Sequence, residues 1–170
     1  MSKFNYSIYY KMPAEWDRQI STWVSWPHNK NDWPDKFDKI PKVFVEIVYY
    51  LSIDQKVNII FKTIQQKLNA FNHLKIRNAN MKNISFFIFK TNRVWIRDYG
   101  PIFVKDKQGK KVIINWKFNA WSKYRDFKSD NKINYLIAKK TKKIIVIPKH
   151  NKKTVVLEGG ALDVNGEGIL

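Results

Sequence analysis

The 170-residue sequence contains no cysteine, which excludes a disulfide, a thiolate zinc site and a cysteine nucleophile within it. It also lacks any apolar run near the roughly 20 residues needed to span a bilayer. The opening stretch, MSKFNYSIYYKM, has no apolar segment of the kind found in secretory signals. We therefore expect a cytoplasmic protein with no membrane partner.

Acidic residues are scarce, with 14 Asp and Glu against 32 Lys and Arg and a formal net charge of +18. Such an excess is compatible with a nucleic-acid partner, because clustered cations release counterions from polyanions. However, 27 of the basic residues are lysines and only 5 are arginines, the type favoured for bidentate phosphate and base contacts. The lysines are also spread along the chain. A compositional bias on surface positions is the favoured interpretation, and nucleic-acid binding the disfavoured one.

The composition predicts an ordered domain, since 44% of the residues are hydrophobic and 15% aromatic. Apolar periodicity predicts helices over residues 38–51, 64–74 and 130–139, the last capped by Asp130. Apolar β-branched runs predict strands over residues 57–61, 84–89, 144–147, 155–157 and 161–164, with a hairpin joining 102–104 to 112–116. The order of these elements is that of a mixed α/β (α+β) fold.

The 3, 4 and 7 spacing of the apolar residues also predicts which face of each helix is buried. The inward residues are expected to be Ile40, Val43, Phe44, Ile47, Val48 and Leu51 in the first helix, Ile64, Leu68 and Phe71 in the second, and Ile133, Leu136 and Ile137 in the third.

Asp98 is the first candidate site residue, in the stretch VWIRDYGPIFV. It follows a strand-like run and precedes a turn, a position suited to binding a cation through two carboxylate oxygens. Trp95 could flank the same cation through its π face. The alternative is that Asp98 only pairs with its neighbour Arg97 or accepts backbone N–H bonds in the turn.

Glu158 is the second candidate, between an apolar run and two glycines, in VVLEGGALDVNGEG. A carboxylate in such a place is costly to bury unless it is paired. Gly159 and Gly160 permit a close approach of ligand or backbone. The alternative is a β-bulge with Glu158 facing solvent.

The three histidines, His28, His73 and His150, are scattered. His28 and Asp32 could face the same way, but no third ligand follows, so a metal site is not expected. No P-loop, dinucleotide fingerprint or serine-triad order is present.

Four ordered motifs together resemble those of the agmatine deiminase family, close to the bacterial-type peptidylarginine deiminases. They are M-P-A-E-W with later T-W and W-P, W-x-R-D-x-G-P, F-N-x-W, and E-G-G. In this sequence they are Met12 to Trp16, Thr22-Trp23 and Trp26-Pro27; Trp95, Arg97, Asp98, Gly100 and Pro101; Phe118 to Trp121; and Glu158 to Gly160.

The resemblance implies a pentein fold, a five-bladed pseudo-symmetric α/β propeller, of which about half is expected here. Residues 1–170 would form the N-terminal portion of a single catalytic domain. The turn signal at Asn165-Gly166 has no returning strand before the sequence stops, which also suggests a fragment.

The resemblance further implies hydrolysis of the guanidino group of agmatine, in putrescine biosynthesis, through a covalent cysteine intermediate and a proton-shuttling histidine. Asp98 and Glu158 are then the catalytic carboxylates that bind substrate, while Trp95 and Gly159 line its site. The partner is a small cationic guanidino compound, with a homo-oligomer possible, and neither a metal nor an organic cofactor is implied.

The sequence departs from the family in having neither the cysteine nor a histidine at the catalytic position. The chain alone is therefore expected to be inactive. Peptidyl-arginine or free arginine stays open as substrate, and a non-catalytic guanidino-binding fragment or a basic nucleic-acid-binding protein stays open as function.

Overall fold

A computed structural model describes residues 10–170 of the chain. Its strands are β1 (Tyr10–Lys11), β2 (Ser21–Ser25), β3 (Lys56–Phe61), β4 (Ile84–Ile88), β5 (Ile102–Asp106), β6 (Lys111–Ile114), β7 (Ile144–Val146), β8 (Lys149–His150) and β9 (Lys153–Thr154). Its helices are α1 (Ile40–Asp54), α2 (Ile64–Ile76), α3 (Ile96–Tyr99) and α4 (Ile133–Thr141). The mixed α/β prediction is confirmed, as are most of the predicted element positions.

Two compact units divide the chain. Unit 1 comprises residues 10–17, 97–125 and 131–170 of the described part, and unit 2 comprises residues 18–96 and 126–130. Each unit has its own sheet and its own apolar cluster.

Unit 2 is built on a parallel sheet of order β2-β3-β4, in which helices α1 and α2 connect the strands. The central strand, β3, is apolar on both faces, and Val57, Ile59, Ile60 and Phe61 are fully buried. A strand covered on both sides reads as a continuous hydrophobic run rather than an alternating one. This explains why the sequence predicted a buried strand there.

Local signals set the start of each helix in unit 2. Pro41 lies in the first turn of α1, where the missing N–H costs no hydrogen bond. Thr63 caps α2: its side chain accepts the N–H of Gln66, whose side chain in turn accepts the N–H of Thr63. This reciprocal capping box satisfies two donors that the first turn of a helix leaves without partners.

Unit 1 contains a four-stranded sheet of order β1-β5-β6-β7. β5 and β6 form the predicted antiparallel hairpin, whereas β6 and β7 pair in parallel, with α4 as the crossover between them. Two further two-residue strands, β8 and β9, form a separate antiparallel ribbon. Ile133 and Ile137 of α4 are fully buried, as its spacing predicted.

The buried faces predicted for α1 and α2 are partly wrong. In α1, Val48 is buried as predicted, but Val43 and Ile47 are exposed, and Val45 and Ser52 are buried instead. In α2, Ile64 and Leu68 are exposed, while Ala70 and Leu74 are buried. Both helices carry apolar residues on more than one side, so periodicity alone does not determine which side meets the sheet.

The strands predicted over residues 155–157 and 161–164 are not formed within the described chain, apart from an isolated bridge between Lys117 and Val156. Residues Gly159–Ala161 form a short 3-10 turn instead. Near Asn165-Gly166 the side chain of Asn165 accepts the backbone N–H groups of Glu167 and Ile169. The Asn165 side chain thus supplies the acceptor that a neighbouring strand would otherwise provide for these two N–H groups.

Asp130 does not cap α4 as predicted. Its carboxylate is buried in unit 2, where Oδ1 accepts the backbone N–H of Asn92 at 2.7 Å and that of Arg93 at 3.3 Å. Burial raises the pKa of the Asp130 carboxyl from its ordinary 3.8 to about 7, and these two hydrogen bonds offset only part of that effect.

The raised pKa of Asp130 predicts a pH-dependent stability. Because the folded chain binds this proton more tightly than the unfolded chain, the contribution is fully present below pH 3.8 and is lost as the pH rises to about 7. Asp130→Asn keeps the acceptor oxygen and cannot ionise. Between pH 5 and pH 8, its unfolding free energy in urea should gain about 2–3 kcal/mol relative to the native chain. Parallel pH profiles would contradict this assignment.

No helix in the described part of the chain is long and apolar enough to cross a membrane.

Candidate functional site

Asp98 lies in the short helical turn α3, and its carboxylate is held by two donors of unit 1. The backbone N–H of Gly160 donates to Oδ1 at 3.1 Å, and the indole N–H of Trp121 donates to Oδ2 at 3.2 Å. These donors are 62 and 23 residues away in the sequence. The carboxylate of W-x-R-D is therefore joined to both the E-G-G and the F-N-x-W motifs.

One detail predicted for Asp98, and one part of the alternative given for it, are wrong. The run before it is helical rather than strand-like, since Ile96–Tyr99 forms α3. Arg97 is not its partner, because the Arg97 guanidinium binds the Glu15 carboxylate at 2.5 Å. Arg97 also reaches the backbone carbonyl of Leu162 at 3.4 Å. The remaining motif, M-P-A-E-W, is thus joined to the α3 turn through the ion pair between Glu15 and Arg97.

The two glycines of E-G-G allow the backbone to approach Asp98 closely. A Cβ atom on Gly160 would overlap Oδ1 of Asp98, and one on Gly159 would overlap the backbone carbonyl oxygen of Arg97. The requirement is spatial, because neither glycine has a positive φ. This close approach is the one for which the two adjacent glycines were singled out in the sequence.

Trp121 is held by an unusual backbone, which the sequence did not signal. Ala120, Trp121 and Ser122 are consecutive non-glycine residues with φ of 54°, 56° and 56°, in the left-handed region. Each such residue costs about 1–2 kcal/mol relative to a right-handed one. Strain of this kind is typical of functional sites, where surrounding contacts maintain it.

Aromatic contacts hold the Trp121 ring in place. Phe118 meets it edge-on, with ring centroids 5.0 Å apart, and Tyr124 does so at 6.0 Å. Phe118 is itself buried and contacts Tyr99 at 5.8 Å. Tyr99, which follows Asp98 in the chain, is therefore linked to Trp121 through Phe118 in one aromatic cluster.

Glu158 is half-buried and directly precedes the Gly159–Ala161 turn. Among the described residues its side chain has no hydrogen-bond or ion-pair partner. It lies outside the regular strands and is neither fully buried nor fully exposed, so the alternative of a solvent-facing β-bulge does not describe it. Its carboxylate is available to a ligand.

Trp95 belongs to unit 2, where its ring packs against Trp33 with centroids 5.4 Å apart. Its side chain is 43% exposed. The substrate-lining role predicted for Trp95 rests on its motif and stays a prediction.

The histidines are placed as ordinary polar residues. The ring nitrogens of His28 lie within hydrogen-bonding distance of the backbone carbonyls of Trp26 and Thr91, at 3.1 and 3.2 Å. Asp32 binds the Arg93 guanidinium instead of facing His28. Between residues 10 and 170, no three His, Asp or Glu side chains are grouped so as to hold a metal ion.

The geometry at Asp98 suits recognition of a planar cation. An ionised carboxylate has about four lone-pair sites, and the N–H groups of Gly160 and Trp121 use one on each oxygen. The remaining sites on the two oxygens can accept two parallel N–H groups, the pattern that a guanidinium presents. The half-buried position of Asp98 leaves it accessible to such a ligand.

Known proteins are similar to this chain in sequence. The family described as Porphyromonas-type peptidyl-arginine deiminase matches residues 11–170. An agmatine deiminase of Pseudomonas savastanoi pv. phaseolicola is 30% identical over 166 residues, which are 95% of this chain and 42% of that protein.

Solved structures agree. A C. jejuni agmatine deiminase, a cysteine-to-serine variant with substrate bound, is 33% identical with a TM-score of 0.75, over 93% of this chain and 44% of that one. The Enterococcus faecalis agmatine deiminase is 25% identical with a TM-score of 0.78, over 92% and 41%. The chain thus spans less than half the length of these relatives.

The resemblance and the fold predicted from the motifs are confirmed by these matches. The motifs that carried the resemblance are also the ones whose side chains and backbones meet around Asp98. On the family match and the shared fold, this chain belongs to the Porphyromonas-type peptidyl-arginine deiminase family.

Proposed function

We propose that this chain supplies the guanidinium-binding carboxylates of an agmatine deiminase, which hydrolyses agmatine to N-carbamoylputrescine and ammonia. The observation that carries the proposal is the Asp98 carboxylate, fixed by Gly160 and Trp121 with lone pairs left on both oxygens. Relatives whose names specify agmatine deiminase favour agmatine over peptidyl-arginine or free arginine as the substrate.

In the proposed reaction Asp98 accepts two N–H groups of the guanidinium, and Glu158 holds the cation from a second direction. Binding then holds the planar group in the orientation that attack requires, which lowers the barrier to the chemical step. Glu158 suits this role because its half-buried carboxylate has no partner within the described chain. Trp95 is proposed to line the substrate site.

The covalent step requires a thiolate that attacks the guanidinium carbon and expels ammonia, after which water releases the ureido product. The 170 residues contain no cysteine, so the thiolate has to come from polypeptide outside them. The proton-shuttling histidine implied by the family is assigned in the same way. We also propose a cytoplasmic location for the reaction.

Calorimetric titration of agmatine into the purified chain tests the binding role. We expect saturable binding that weakens roughly 10- to 100-fold in Asp98→Asn, because a hydrogen-bonded charge pair contributes about 1.5–3 kcal/mol. Asp163→Asn is the matched control, since Asp163 is exposed and its change should leave binding within about twofold. Equal affinity in the native chain and Asp98→Asn would remove Asp98 from the site.

A guanidino-binding chain without catalysis is the second candidate, and the lack of cysteine favours it for the isolated chain. It predicts agmatine binding with no ammonia released above the blank. Ammonia and N-carbamoylputrescine formed by the purified 170-residue chain would show that the nucleophile was wrongly assigned.

A further inference from the structure

The indole N–H of Trp121 donates to Oδ2 of Asp98 at 3.2 Å, whereas the Gly160 N–H donates to the other oxygen, Oδ1. We propose that Trp121 is a positioning residue, which fixes the plane of the Asp98 carboxylate so that it selects a guanidinium over an ammonium. This inference rests on the proposed function, since it assigns to Asp98 the guanidinium of the substrate.

The left-handed turn at Ala120–Ser122 is the device that aims Trp121. A right-handed turn would direct the side chains of these residues differently, because Cβ directions follow the backbone dihedral angles. The turn contains no glycine, so its unfavourable backbone has to be maintained by contacts. A strained segment that ends in a hydrogen bond to the proposed binding group is consistent with pre-organisation of that group.

Asn119 locks this turn from its N-terminal side. Its Oδ1 accepts the backbone N–H of Ser122 at 3.2 Å, and its Nδ2 donates to the Ser122 hydroxyl at 2.9 Å. Ala120, between them, is fully buried. These contacts fix the turn without involving Asp98, so a substitution at Asn119 can loosen the turn while both the Asp98 carboxylate and the Trp121 indole are still present in the chain.

Fixing the carboxylate plane matters for one class of cation only. A guanidinium donates two parallel N–H groups in a rigid plane, so its binding depends on the rotation of the carboxylate about χ2. An ammonium is a compact charge with rotatable donors and tolerates any rotation. Loss of the Trp121 bond should therefore weaken guanidinium binding selectively while leaving the charge of the site unchanged.

The test measures dissociation constants of n-butylguanidinium and n-butylammonium for the native chain and for Trp121→Phe, which removes the N–H and keeps a ring. We expect guanidinium affinity to fall roughly tenfold, as for loss of one hydrogen bond to a charged group, and ammonium affinity to change less than about twofold. Trp116→Phe is the matched control, because the Trp116 indole N–H has no acceptor in the described part of the chain. It should leave both affinities within about twofold.

Asn119→Ala is the second variant, and it keeps the test valid should Trp121→Phe fold poorly. It should lower the guanidinium-to-ammonium selectivity in the same direction, because it loosens the turn that aims the indole. Saturable binding with unchanged selectivity in both variants would overturn the positioning role and leave the proposed function standing. A native chain that binds neither cation would overturn the proposed function, and this inference with it.

Discussion

Replacing Arg93 with methionine is expected to lower the free energy of unfolding by about 3–5 kcal/mol, because it leaves a buried carboxylate without its counter-charge. The Arg93 guanidinium binds Asp32 at 2.5 Å and Asp126 at 2.7 Å. The side chains of Arg93 and Asp32 are only 6% and 2% exposed. Burial alone would lower the pKa of Arg93, but its hydrogen bonds to Asp126 and Asp32 outweigh burial and raise it.

Urea unfolding of Arg93→Met measures this loss. Arg125→Met is the control, since Arg125 is exposed and its change should cost no more than about 0.5 kcal/mol. The double variant Arg93→Met with Asp32→Leu should lose less than the two single variants combined, because no unpaired charge is then left buried. A loss below about 1 kcal/mol in Arg93→Met would show that the pair is not buried as described.

The Arg93 pair also affects how firmly Trp95 is held. Asp32 is followed in the chain by Trp33, whose ring packs on Trp95, and Trp95 comes two residues after Arg93. The ion pair and the ring contact therefore hold the same two segments of unit 2 together. Loss of the pair should leave Trp95 less firmly held, which intrinsic tryptophan fluorescence can follow.

Gly159→Ala is expected mainly to lower stability, whereas Gly160→Ala is expected mainly to lower agmatine affinity. At Gly159 the new Cβ overlaps a backbone carbonyl, that of Arg97, so the main chain has to move. We expect a loss of about 2–3 kcal/mol in unfolding free energy, in the range of overpacked sites. At Gly160 the overlap is with the Asp98 carboxylate, which can rotate away at little cost in stability.

The loss of agmatine binding should be caused by the substitution at Gly160. Gly160→Ala displaces Asp98 from the position fixed by the Gly160 N–H, so agmatine affinity should fall at least about tenfold while unfolding free energy changes by less than about 1 kcal/mol. Calorimetry and urea unfolding on the same preparations measure both quantities. Native affinity in Gly160→Ala would contradict the placement of Asp98 beside this glycine.

What the sequence alone could predict depended on how local the signal was. Strand β3 was predictable because a run of buried β-branched residues and Phe61 has few other interpretations. The inward faces of α1 and α2 were not, because exposed Val43 and Ile47 follow the same helical spacing as the buried residues. Tertiary packing, which the sequence does not show, selects the face.

The candidate site, too, was predictable from the sequence only where its signal was local. Asp98 and the E-G-G glycines stand in motifs and could be found by resemblance. Their contact, and the bond from Trp121, join residues far apart in the sequence. The left-handed turn at Trp121 contains no glycine that would indicate it in the sequence. Distant contacts and strained backbones of this kind become visible only in three dimensions.

The central claim is that the Asp98 carboxylate, held by Gly160 and Trp121, takes the guanidinium of the substrate. The most direct measurement is a titration of the ¹⁵N-labelled chain with agmatine, followed by NMR at the Gly160 amide and the Trp121 indole. Both signals should shift saturably, with one common dissociation constant, and neither should do so in Asp98→Asn. Saturable shifts that leave these two signals in place, or that persist in Asp98→Asn, would contradict the account.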